Sequence, residues 1–321
     1  MKLPRGKPVL ENVKVQFVNF DNVVNLAKRA REGRINGYIQ IIYPDSVDFL
    51  FLRNGEVINA GRYAGGESKL VSIKEVLDRA KKAEVGVVNI YDIPDEALSM
   101  IIGIFKEKPL FKDKPMKGVD LDKLFQKFQE IKFPGFIVLR KGVEVSFVSF
   151  EKGEPKMIYL AGRGGSSITR EVLLTFLKKE GMDFFISAYP GTTKVEQATP
   201  AFVSLYIRFF NALIREFSDM VGAGLVRKTL VSALEGASSE HPLLSKFMPE
   251  DLELKEIPVV ATPEEITKAF AAGIDRFVDG LFVVLGRRVE NAVVKAMKDF
   301  RFALKNAGFF EHSKLKRYES I

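Results

Sequence analysis

Between Gly37 and Gly66 the apolar positions fall into short runs of strand length: Gly37–Tyr43, Val47–Arg53 and Val57–Gly61. Pro44-Asp45-Ser46 separates the first two. Asn54-Gly55 separates the next two and is a strong hairpin signal, because both residues tolerate positive φ. Upstream, Lys14–Phe20 alternates apolar and polar residues and predicts a strand. Asp21 or Asn22 then caps a predicted helix over Val23–Arg31, with Val23, Leu26, Ala27 and Ala30 on one face and Gly33 as its stop. Downstream, Ser72 and Glu75 form a capping-box pattern that opens a helix at Ile73–Lys82. A strand at Val85–Tyr91 and a helix at Asp95–Lys106 follow.

The same order then returns. A helix with Leu121, Leu124, Phe125 and Phe128 at helical spacing is expected over Leu121–Ile131. Strands are expected at Phe136–Arg140, Val143–Glu151 and Lys156–Ala161, a helix at Ile168–Glu180 capped by Ser166 or Ser167, and a strand at Phe184–Ala188. Gly37 and Gly135 lie 98 positions apart, as do Gly55-Glu56 and Gly153-Glu154, and Tyr91 and Tyr189. Ala60-Gly61-Arg62 also resembles Ala161-Gly162-Arg163, but at a spacing of 101, which implies about three extra residues in the second copy. The basic, Pro-containing stretch Lys106–Lys117 between the copies reads as a linker.

From Gln197 the period turns helical. Helices are expected at Pro200–Met220, Leu225–Leu234 and His241–Phe247. After a Pro-containing connector, Met248–Thr262, another runs from Thr262-Pro263-Glu264-Glu265 to about Leu285, and a last one from Arg287 to about Asn306. Ile214–Gly222 and Val278–Gly286 both place a glycine after an apolar helix end. The expected fold class is therefore α+β: two tandem small antiparallel-sheet modules with covering helices, followed by an all-α domain. The boundaries fall at residues 1–110, 111–196 and 197–321.

Composition narrows the chemistry. The 321 residues include no Cys and no Trp and only two His, His241 and His312. Disulfides, thiolate metal sites and cysteine nucleophiles are excluded, and a histidine-based zinc site lacks ligands. No cofactor is expected. A net charge of +8 permits an acidic partner, nucleic acid or an anionic membrane surface, but no long basic block appears and acidic residues are interspersed, which favours a solvated surface. No apolar run reaches the ~20 residues of a membrane-spanning helix, and no secretory leader is visible at Met1, so a cytoplasmic location is expected. The Lys, Arg and Glu content fits a thermophilic source.

The glycine-rich turn Gly162-Arg163-Gly164-Gly165-Ser166-Ser167 is the sharpest candidate site. Between a strand and a helix start, its backbone N–H groups and Arg163 would hold a phosphate or carboxylate of a small anion or nucleotide. The other reading is a tight crossover whose serines cap the helix. It lacks the Gly-Lys-Ser/Thr of a phosphate-binding P-loop. Glu56, Arg62 and Glu154 recur at matching places and would present polar contacts to a partner. The alternative is internal: hairpin-turn residues and an arginine bridged to a nearby acid. No second acid is placed beside Glu56 or Glu154 for acid–base work.

The repeat resembles the PATAN-type modules attached to bacterial response regulators and found near small Ras-like GTPases. The residues that carry this likeness are Leu26, Gly37, Gly55-Glu56, Ala60 and the helix Ile73–Lys82, and again Leu124, Gly135, Gly153-Glu154, Ala161 and Ile168–Glu180. The resemblance spans residues 20–195. It implies a non-enzymatic interaction module in signalling with a protein partner such as a small Ras-like GTPase. Two copies without a receiver domain depart from that pattern. The helical part would serve homo-oligomerisation or effector contact.

Overall fold

The computed structural model describes residues 1–22, 34–191, 196–249 and 251–319, in two compact units, Met1–Val195 and Glu196–Ile321. The helix expected at Val23–Arg31, with Leu26 on its apolar face, lies outside the described residues.

The N-terminal unit is built from two six-stranded antiparallel sheets. The first contains β1 (Lys7–Lys14), β2 (Gly37–Ile42), β3 (Ser46–Arg53), β4 (Glu56–Ala64), β5 (Glu67–Val71) and β6 (Val87–Asp92), in the order β1-β6-β2-β3-β4-β5. The second contains β7 (Phe111–Pro115), β8 (Phe136–Lys141), β9 (Glu144–Glu151), β10 (Glu154–Tyr159), β11 (Gly165–Ser167) and β12 (Phe185–Tyr189), in the order β7-β12-β8-β9-β10-β11. The two orders are the same. The three inner ladders agree residue by residue at a spacing of 98, while the outer strands β7 and β11 pair with an offset of three residues from β1 and β5. Tyr38 pairs with Tyr91 and Phe136 with Tyr189; Leu50 pairs with Ala60 and Val148 with Ile158.

This register corrects the alignment read from the sequence. Gly61 corresponds to Tyr159, not to Gly162: Gly61 faces Phe49, and Tyr159 faces Phe147. The second Ala-Gly-Arg lies beyond the end of β10, in the connection to β11. Three further expectations also change. Lys106–Lys117 is not a linker alone, because it contains β7, the edge strand on β12. The first strand lies earlier than Lys14–Phe20, and Val15–Phe17 is a 3-10 turn. Ser166 and Ser167 belong to β11, and the next helix, α4 (Arg170–Lys179), is capped by Thr169, whose hydroxyl accepts from the Val172 N–H.

Each sheet is covered on both faces. Helix α1 (Ile73–Lys82) puts Ile73, Val76 and Ala80 on the outer face of the first sheet. Helices α3 (Leu121–Glu130) and α4 cover the outer face of the second with Leu121, Phe125, Phe128, Leu173 and Leu177. The inner faces share one core with α2 (Asp95–Lys106). Phe49 and Phe51 from one sheet, Phe136 and Phe147 from the other, and Leu98, Ile101 and Phe105 of α2 all belong to it. The N-terminal residues stitch the sheets together. Lys2 bonds to the backbone of Val143 and Val145, Leu3 accepts from Gly162, and the chain then enters β1.

The C-terminal unit is helical: α5 (Pro200–Val221), α6 (Ala223–Ser238), α7 (Pro263–Leu285), α8 (Arg288–Met297), α9 (Arg301–Asn306) and α10 (Phe309–His312), with 3-10 turns at Pro242–Phe247 and Lys314–Tyr318. The long helix expected from Arg287 is broken at Lys298–Phe300. Both α5 and α7 start at Ala-Thr-Pro, with Thr199 and Thr262 as caps, and both end at a glycine of positive φ, Gly222 and Gly286. Thr262 and Glu265 complete a reciprocal capping box. The helices pack in two pairs, α5 on α8 and α6 on α7. Phe309 and Phe310 of the basic tail are buried in this core.

Candidate functional site

The most concentrated chemistry in the N-terminal unit surrounds Asp48. It stands in the apolar run Val47–Leu52 of β3, and its side chain is fully buried. A buried carboxylate must be paired. Arg62, opposite it on β4, donates from Nε and Nη2 to the two carboxylate oxygens at 2.7 and 2.9 Å. Arg62 also donates to Glu75 of α1 at 2.6 Å. Arg79 of the same helix reaches Ser46, Asp45 and Asp48, and its guanidinium stacks over the Tyr43 ring at 3.9 Å. The bond to Asp48 raises the Arg62 pKa above the ordinary arginine value. Burial, reinforced by the Asp48 charge, pushes the Tyr43 phenol up to about 12. The cluster clamps α1 onto its sheet. In the second sheet the position of Asp48 is held by Ser146, whose hydroxyl instead accepts from the Ala161 N–H.

Arg62, read from sequence as a contact for a partner or an internal bridge, makes internal bridges to Asp48 and Glu75. Glu56 and Glu154 occupy the same place in the two hairpins, and both are exposed. Glu154 accepts from Gln129, which in turn accepts from Arg170 at 2.8 Å. The hairpins themselves need their glycines. Asn54 and Gly55 have φ of 50° and 75°, and Lys152 and Gly153 of 52° and 88°.

Arg163, Gly164, Gly165, Ser166 and Ser167 are all exposed. Two N–H groups of the turn are already engaged: Gly162 donates to Leu3 and Arg163 to Leu160, both at 3.0 Å. The turn does not adjoin the helix N-terminus, because β11 and Thr169 intervene. A cleft of about 80 Å³ between the two sheets is lined by Tyr63, Ser68, Lys112, Arg140, Ser187 and Tyr189 among others. Arg140 pairs with Asp113 at 3.0 Å there. Among the described residues no group of three His, Asp or Glu side chains is placed to hold a metal.

Sequence reasoning missed the roles of Asp48 and Arg79. The signal was present: a carboxylate inside an otherwise apolar strand has to meet a cation.

A family model described as an uncharacterized protein conserved in archaea (DUF2226) matches residues 1–105. That span takes in the first sheet and α2 up to Phe105, about a third of the chain. No curated protein and no solved structure matches the chain.

Proposed function

We propose that the chain is a non-enzymatic adaptor in signalling, whose N-terminal unit is a rigid twin-sheet platform for a protein partner. The observation that supports this reading is the repeated ladder. Two copies of one strand order are fused over a single buried helix, and each sheet ends in an edge strand, β5 in one and β11 in the other. All three residues of β11 are exposed. An open edge accepts an extended segment of another protein by continuing the ladder. The likeness to PATAN-type modules favours a signalling protein, such as a small Ras-like GTPase, as that partner. A cytoplasmic setting and self-association through the helical unit belong to the same proposal. No helix among the described residues is long and apolar enough to cross a membrane.

The test is cross-linking of the full chain in extract from its source organism, followed by reconstitution with each purified candidate. Ser166→Lys, which blocks the β11 edge, should abolish the complex and leave the melting temperature unchanged. A complex that survives this change, or a substrate turned over by the purified chain, overturns the reading.

A further inference from the structure

We propose that the C-terminal unit docks on an anionic lipid surface through the tip where α5 and α7 end. The two helices start side by side, with the Ala198 N–H bonded to the Ala261 carbonyl. They stay together along their length, since Tyr206 stacks on Phe270 and Phe217 packs edge-on against Phe277 at 5.7 Å. Their last turns therefore emerge at the same end. There the apolar surface is uncovered: Val283 is 85% exposed, Val284 58%, Phe282 44% and Met220 41%. Gly222 and Gly286 separate these last turns from the helices that follow, and a Cβ added at either of them, or at Gly224 in the first turn of α6, would meet nothing within 4 Å. The tip faces open space.

Its shape and its charge select the occupant. Phe282, Val283 and Val284 are consecutive, so their side chains fan around the helix and do not form a stripe. A partner helix or groove reads a stripe at i, i+3 and i+4. A lipid interface closes around a convex apolar knob from every side. The exposed cations Arg287 and Arg288 follow directly after Gly286, and Lys228 lies on the next turn of α6. None of the three makes an ion pair among the described residues. Asp219 is the acid next to Met220, and Glu216 is already tied to Lys295 at 2.7 Å. Apolar residues tipped with free cations suit an anionic headgroup layer. A second copy of the chain would set Arg287 and Arg288 against their own like charges.

Because the chain has no Trp, Val283→Trp gives a single reporter at the tip. Mixed with vesicles of phosphatidylglycerol and phosphatidylcholine at low salt, its emission should shift to the blue. It should not shift with phosphatidylcholine alone. In co-flotation of the full chain, Val283→Asp should weaken binding by about tenfold or more, and Arg287→Glu/Arg288→Glu by at least about fivefold per charge removed. Circular dichroism melting of each variant should match the parent, since these side chains are exposed. No blue shift on anionic vesicles overturns the proposal. So does flotation that survives Val283→Asp, or light scattering that shows the parent as an oligomer dissolved by Val283→Asp. Loss of the partner complex by Ser166→Lys does not bear on this tip, so the two readings fail separately.

Discussion

At the scale of the residue, the duplicated sheets show which positions the fold demands and which one copy adopted alone. Gly37 and Gly135 are demanded. A Cβ at Gly37 would sit 1.9 Å from the Tyr91 carbonyl oxygen, and one at Gly135 would sit 2.1 Å from that of Tyr189. The strand cannot yield without breaking the ladder, so Gly37→Ala and Gly135→Ala should each cost about 3 kcal/mol, read from urea midpoints at unchanged slope. Both glycines were legible as the start of the repeat. The Asp48 lock is the opposite case, belonging to one copy only. Asp48→Asn leaves Arg62 and Arg79 facing a neutral buried amide, and should destabilise by about 3–5 kcal/mol. Replacing Asp48 by Ser, as at position 146, together with Arg62→Leu removes the buried charges as a set. Most of the loss should then return, because Arg79 keeps Asp45 at 3.0 Å. A double variant no more stable than Asp48→Asn would show that the pair contributes more than mutual neutralisation. The sequence displayed Asp48 inside an apolar strand, but its partners come from β4 and α1, which no local pattern joins.

At the scale of the element, the helices and hairpins that announce themselves through caps and turns were legible, and those defined by a distant partner were not. The Asn54-Gly55 hairpin, the Ser72 cap and the Thr262 capping box rest on contacts within four residues. β7 rests on β12, some seventy residues further along the chain. Its charges and its proline at position 115 gave it the look of a linker, and an edge position tolerates both. The tail is another such element. Its anchor is Asp275 in the middle of α7, which accepts from the Ser313 hydroxyl at 2.6 Å and from the Lys314 N–H at 2.8 Å. Burial raises the Asp275 pKa despite those bonds and the Lys314 charge. The folded state therefore binds this proton more readily than the unfolded chain, whose aspartate titrates near ~3.9. Between that value and the raised one, this residue adds stability as pH falls and loses it as pH rises. Melting of the parent and of Asp275→Asn over pH 4 to 7 isolates the effect, because other carboxylates are common to both. The difference should move in favour of the parent on acidification. A difference that is flat with pH, or that moves toward Asp275→Asn, would remove the buried carboxylate from the account.

At the scale of the whole molecule, the repeat was visible in the sequence but the way its copies join was not. Matching glycines and tyrosines at a spacing of 98 announced two sheets, each with covering helices. What closes their inner faces is α2, a helix that occurs between the copies and so has no counterpart. One helix cannot touch two equivalent sheets in equivalent ways, and the inner faces diverge accordingly. Gly61 on β4 leaves room for Phe105, whose ring a Cβ there would meet at 2.6 Å. The corresponding residue on β10 is Tyr159, whose hydroxyl instead donates to Glu96 near the start of α2 at 3.1 Å. These two sheets thus share one core and should unfold as one block. Ile101, fully buried in that core, tests the point. Ile101→Ala should cost about 2–5 kcal/mol, and the loss should be felt on both sides of α2 alike. In native-state hydrogen exchange, amides of β2 and β3 and those of β8 and β9 should lose protection together, by the same free energy. The helical unit, with a separate core from Ala198 to Tyr318, should keep its protection. If only the first sheet responds, the copies are independent domains that merely touch a common helix. In that case the platform offered to a partner is half the size that the shared core implies.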